Sequence, residues 1–139
     1  MSLKKSDPVH ARTRQILLEA AGQVFADVGF HDATVREISL KAGTNFAAIN
    51  YHFGDKKTLY LEVLHYAAII ADEKYPLNGR LAPDATPESR LHAFTLAFLR
   101  RLLDPGPISW SAKLVARELI KPTLALDAII AESILPLEK

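Results

Sequence analysis

Cysteine is absent from this chain, which excludes disulfide frameworks, thiolate-ligated metal and thiol catalysis and suits a reducing cytoplasm. Long hydrophobic runs are lacking too: none approaches the roughly 18–20 apolar residues needed to span a bilayer, and no basic-then-apolar leader is found. A cytoplasmic protein without membrane attachment is therefore expected. Charge of one sign is scarce, because 17 Lys and Arg against 16 Asp and Glu leave a net charge of +1. That excludes the strongly basic balance of a protein that coats nucleic acid without specificity. The five histidines lie far apart in no metal-ligating spacing. His65 and His92 read as ordinary helix residues, no serine nucleophile elbow exists, and GlyAspLysLys at 54–57 is too short for a phosphate loop. No enzyme, metal or cofactor is expected. Neither an internal repeat nor a low-complexity tract is present.

What remains is an apolar, helix-forming chain. With 139 residues and 49% of them hydrophobic, it can bury a core as one domain or as two tightly packed small ones. Apolar residues Ile16, Leu17, Ala20, Ala21, Val24, Phe25 and Val28 recur at helical spacing, predicting a first helix from Val9 to Val28 that Gly29 ends. Residues 1–57 hold eight basic and six acidic residues, and the remainder nine and ten, so the slight positive excess lies towards the N-terminus. That sign suits DNA at this end.

Residues 34–53 read as two short helices with a sharp turn. Thr34 stands at an N-cap and Glu37 completes a capping box, while Val35, Ile38 and Ala42 make an inward stripe. Gly43 breaks the helix, allowing the positive φ that swings one helix into the next. Asn45, or Thr44 beside it, caps the second helix. On its wheel Ile49 and Phe53 fall together with Phe46 nearby, whereas Ala47, Ala48 and Tyr51 point the other way and Asn50 lies at the boundary. Two alanines allow close approach to base edges and offer methyl surface to thymine, and Asn50 and Tyr51 can hydrogen-bond to bases or phosphates. An ordinary surface helix would show the same pattern, so the flanking sequence decides.

A long amphipathic helix precedes the pair, and TyrHisPhe (Tyr51, His52, Phe53) is followed by GlyAspLysLys, Leu59 and Tyr60. From about Arg14 to Leu64 this resembles the TetR family of transcriptional repressors, and AsnPheAlaAlaIleAsnTyrHisPhe resembles its CecR-like subgroup. Most members carry a tyrosine where this chain has Asn50, and many a polar residue in place of Phe46. The resemblance implies a DNA-contacting set of Thr34, Arg36, Thr44, Asn45, Phe46, Ala47, Ala48, Asn50, Tyr51, His52 and Lys56, with Lys56 on the phosphate backbone. It also implies an all-α fold: an N-terminal three-helix helix-turn-helix domain, residues 1–54, joined by a long fourth helix to a helical effector and dimerisation domain, residues 55–139.

Asp55 caps that fourth helix, expected from Lys56 to about Lys74, with an apolar set (Leu59, Leu61, Val63, Leu64, Ala67, Ala68, Ile70, Ala71) too wide for one neighbour. Tyr75 to Pro87 is a non-helical connection, Thr86 and Pro87 open a fifth helix ending near Asp104, a sixth covers about Ser109 to Ile120, and a seventh Thr123 to about Leu135. Tyr66, Leu91, Phe94, Phe98, Leu102, Trp110 and Leu114 are candidates to line an apolar effector pocket, although aromatics at helical spacing are more often plain core. Arg100, Arg101, Arg117 and Glu118 are candidates to hold a polar ligand group, although such charges usually face water. In the resembling family two further long helices usually form a four-helix dimer interface. The chain stops at Lys139, so its effector and dimerisation domain is expected to be incomplete, or else to dimerise differently through Trp110, Leu114 and Ile130. A mostly monomeric 139-residue chain is the corresponding expectation. The implied function is a DNA-binding regulator, a repressor released from a palindromic double-stranded operator by a small molecule and working as a homodimer. The alternative is a constitutive DNA-binding architectural protein of the same fold that acts through a protein partner.

Overall fold

Side-chain oxygens mark where the helices begin. The Glu37 N–H donates to Thr34 Oγ1 (3.1 Å), the Ala48 N–H to Asn45 Oδ1 (3.1 Å), the Thr58 N–H to Asp55 Oδ1 (2.7 Å) and the Ser89 N–H to Thr86 Oγ1 (3.1 Å). Each satisfies a backbone donor that has no partner in the first helical turn. The computed structural model, which describes residues 8–123 and 125–129, follows with α1 (Pro8–Asp32), α2 (Val35–Ala42), α3 (Phe46–Phe53), α4 (Lys56–Lys74), α5 (Pro87–Leu103), α6 (Ser109–Ile120) and α7 (Leu126–Ile129). The described residues contain no strand. Inside α1 the helical path breaks at Gly29, whose φ of 84° and ψ of 169° are not helical. Of the expected seventh helix, Thr123 and Ala125 precede α7 and residues 130–135, Ile130 included, lie outside the described residues.

The chain forms two compact units that part inside α4, between Val63 and Leu64. The first is built on Leu17, Phe25, Ile38, Ile49, Leu59 and Val63, all fully buried. Side chains of this kind contribute roughly 1.5–3 kcal/mol each when buried. Phe25 meets Tyr60 edge-on with centroids 4.9 Å apart, and Phe30 lies 4.9 Å from Tyr60 and 6.2 Å from Phe25, closing a triangle of rings. Arg14 pairs with Glu62 at 2.7 Å and lies over the Phe53 ring at 5.2 Å, tying α1 to the end of α3 and to the second turn of α4. Ile16 and Val28, expected inside, are about 40% exposed. They stand at the edge of the stripe that Leu17, Ala21 and Phe25 carry inward.

In the second unit Ala67, Ala71, Ala97, Trp110, Leu114 and Ala125 are buried, and Tyr66 stacks on Trp110 at 6.3 Å. Asp104 gathers the end of α4: its carboxylate accepts from Lys74 Nζ, the Tyr75 hydroxyl and the Gly106 N–H at 2.6–2.7 Å. Arg101 donates twice to the Tyr75 carbonyl, at 2.7 and 3.0 Å. Glu118, a candidate to hold a polar ligand group or else to face water, is buried, and its Oε1 accepts from both the N–H and the hydroxyl of Thr123 (2.7 and 2.6 Å). A buried carboxylate is tolerated when donors replace the water it gave up.

Candidate nucleic-acid interface

Gly43 sets the angle between α2 and α3. Its φ is 69° and ψ 30°, left-handed helical backbone, and its N–H bonds the Leu40 carbonyl at 3.2 Å while that of Thr44 bonds Ser39 at 3.0 Å. These bonds close the C-terminus of α2 within two residues, so α3 can leave at once in a new direction. Asn45, and not Thr44, supplies the cap of α3.

Ile49 and Phe53 are buried and hold α3 to the core. Opposite them Ala47 and Asn50 are exposed, Ala48 is half-buried, and Tyr51 is 73% exposed. Phe46, placed near the buried pair by its wheel angle, is 58% exposed. It is the first residue of α3, where the helix has only begun to approach the core. The surface of α3 thus offers a large apolar ring, two alanines, an amide and a phenol. Thr34, Arg36 and Asn45 are exposed on neighbouring backbone, and Thr44 is half-buried.

His52 lies at the rim of this surface. Its ring stands 5.0 Å from Tyr51 and 6.3 Å from His10. Burial, then the nearby His10 and Arg14 charges, hold its pKa below the usual 6.5, so it favours the neutral form. His10, which no motif singled out, also meets Tyr51 at 5.7 Å. It stands one turn before Arg14 on α1, whose guanidinium lies over the Phe53 ring of α3, a contact that the sequence does not announce.

Lys56 is engaged inside the unit. Its Nζ donates to the carbonyls of Phe30 (2.8 Å), Ala33 (3.2 Å) and His31 (3.5 Å) and sits 4.5 Å above the Phe30 ring. An ammonium has three N–H donors, and all three have a protein acceptor here.

The seven candidates for an effector pocket separate. Tyr66, Trp110 and Leu114 belong to the interior of the second unit, with Tyr66 half-buried and stacked on Trp110. Leu91, Phe94, Phe98 and Leu102 form one stripe along α5 and are 38–67% exposed, with Phe94 stacked on Phe98 at 6.3 Å. None of the seven lines a cleft of about 260 Å³ on the opposite face of α5, bordered by Lys74, Tyr75, Arg80, His92, Ala93 and Arg100 among others.

Comparison with known proteins agrees with this geometry. Residues 17–63 match the family described as bacterial regulatory proteins, tetR family, and residues 87–139 match the C-terminal domain of the HTH-type transcriptional dual regulator CecR. The HTH-type transcriptional regulator TtgW of Pseudomonas putida is 32% identical over 87% of this chain and 86% of its own. The dual regulator CecR of Shigella flexneri is 31% identical over 91% of this chain and 60% of its own. SrpR of Pseudomonas putida, an HTH-type transcriptional regulator, is 32% identical, and this chain spans 54% of it, so the chain covers little more than half the length of some relatives. The solved structure of an HlyIIR mutant protein superposes with a TM-score of 0.63 over 92% of this chain and 67% of that one, at 24% identity, and shows the same fold. TtgW, CecR and SrpR are transcriptional regulators, not enzymes. No helix among the described residues is long and apolar enough to cross a membrane. With its turn at Gly43, its capped second helix and these relatives, the chain belongs to the TetR family of bacterial helix-turn-helix regulators, on the CecR-like side of it.

Proposed function

We propose that this protein is a sequence-specific DNA-binding repressor that enters the major groove with α3 and is released from its operator by a small molecule. The observation that carries the DNA-binding part is the exposed surface of α3, where Ala47, Asn50 and Tyr51 project while Ile49 and Phe53 fix the helix from behind. Ala47 and Ala48 would lie against base edges, Asn50, Tyr51 and Phe46 would select sequence, and Thr34, Arg36, Thr44, Asn45 and His52 would hold phosphates. Lys56 acts in this reading by fixing the turn after α1 against the start of α4, because its donors are already taken by carbonyls. Residues 1–54 form the DNA-binding domain and 55–139 carry effector and dimerisation functions. Two copies would present their α3 helices about 34–36 Å apart to successive major grooves of a palindromic site, and an effector that tilts α4 would change that spacing. The protein would work in the cytoplasm.

The test is selection of bound fragments from a random pool of double-stranded DNA, followed by Ala47→Glu. Ala47 is exposed in the first turn of α3, where a carboxylate suits the helix dipole, so the fold should keep its melting temperature within a few degrees. Binding to the selected sequence should be lost through repulsion of phosphates. Retention of full affinity would overturn the assignment of α3.

A further inference from the structure

We propose that the cleft beside the end of α4 binds a small organic anion, with Arg80 and Arg100 holding its charged head and Ala93, Ala97 and Pro76 receiving a compact apolar body. Every charged side chain that borders the cleft is basic: Lys74, Arg80 and Arg100, with His92 beside them. Lys74 is paired with the carboxylate of Asp104, whose oxygens are committed to Lys74, the Tyr75 hydroxyl and the Gly106 N–H. Lys74 and Asp104 cancel each other. Arg80 and Arg100 carry no ion pair with a described residue, so the cleft keeps a balance of about two positive charges. The carbonyl of Tyr75, which would repel an anion, is covered by two bonds from Arg101.

The backbone holds Arg80 in an uncommon conformation. Gly79 has φ 62° and Arg80 φ 53°, and the Leu81 N–H bonds the Asn78 carbonyl at 3.3 Å. Positive φ at both central residues is the pattern of a type I′ turn, which asparagine and glycine occupy readily and arginine rarely. The Arg80 N–H also donates to Asn78 Oδ1 at 3.0 Å, fixing the turn. A Cβ on Gly79 would come within 2.6 Å of the Ala93 Cβ, so only glycine lets the turn lie this close to α5. An unusual φ at an arginine, fixed by its neighbours and bordering a cleft without acids, is where strain and binding tend to coincide. The volume, about 260 Å³, suits a ligand of few heavy atoms. A guanidinium from each of two elements matches the two oxygens of a carboxylate. The cleft lies on the opposite face of α5 from the Leu91, Phe94, Phe98 and Leu102 stripe, and ligand capture there does not depend on α3 meeting DNA.

Benzoate is the probe, followed by amide chemical shifts of the full 139-residue chain, with benzamide and inorganic phosphate as controls. Benzoate should give saturable shifts at Gly79, Arg80 and Ala93, benzamide should bind at least about tenfold more weakly for want of charge, and phosphate should also bind more weakly for want of an apolar body. Arg80→Gln and Arg100→Gln, both at exposed side chains, should each weaken benzoate at least about tenfold without moving the melting temperature. Equal binding of benzamide, shifts mapping elsewhere, no effect of either substitution in a folded protein, or no saturation up to about 10 mM would each overturn the proposal.

Discussion

Lys56 Nζ lies 2.8 Å from the carbonyl oxygen of Phe30 and 4.5 Å above that residue's ring, so one side chain at the start of α4 closes the backbone left open where α1 breaks at Gly29. The charge is in direct contact with carbonyls that no helix satisfies. It serves the fold before it can serve DNA.

Lys56→Met keeps the length and apolar stem of the side chain and removes the ammonium. Removing a charged donor from partly buried carbonyls should cost about 1–3 kcal/mol, read as a lower denaturation midpoint. The slope of log DNA affinity against log salt should be unchanged. A slope shallower by about one unit with stability unaltered would show instead that Lys56 contacts a phosphate.

Gly43 separates conformational strain from crowding. Nothing lies within 4 Å of where a Cβ would stand, yet φ is 69°. Gly43→Val should therefore destabilise the first unit by roughly 1–3 kcal/mol through backbone strain alone, and Gly43→Asn by clearly less, because asparagine tolerates the left-handed region. Equal losses in thermal melts of the two variants would contradict this reading.

The Asp104 cluster makes the second unit sensitive to acid. Lys74, then the Tyr75 hydroxyl and the Gly106 N–H, lower its pKa from the usual 3.8 to about 2. A folded pKa below the unfolded one means that the cluster contributes its stability fully above pH 4 and loses it progressively as the pH falls from about 4 to about 2. Asp104→Asn should remove this part of the acid transition while lowering stability at pH 7, where the wild type has the charge. A stability profile of the variant parallel to wild type over that interval would contradict the assignment.

Much of this arrangement is legible in the chain. Caps at Thr34, Asn45, Asp55 and Thr86 are local events, decided within four residues, and the sequence names each or, for the second helix, leaves only Thr44 as a rival. The exposure of Tyr51 and the burial of Ile49 follow from the same 3.6-residue period. What the period cannot supply is contact across long separations. Lys56 reaching back to Phe30, Arg14 meeting Glu62, and Asp104 collecting Lys74 and Tyr75 join residues about 26 to 48 positions apart, and nothing in their spacing announces them. The stripe of Leu91, Phe94, Phe98 and Leu102 is legible for a related reason, whereas its neighbour is not: helical spacing gives a stripe, while what the stripe faces is a tertiary matter.

The caps around α3 have a practical outcome for engineering. Asn45 begins this helix by its own side chain and Gly54 ends it through bonds from its N–H to the Asn50 and Ile49 carbonyls, so both boundaries are set by residues at its margins. With Ile49 and Phe53 retained as anchors, the outward positions 47, 48, 50 and 51 form a cassette whose side chains can be exchanged without redrawing where the helix starts or stops. If α3 reads DNA as proposed, recoding which DNA such a head prefers becomes a four-position library on a fixed scaffold.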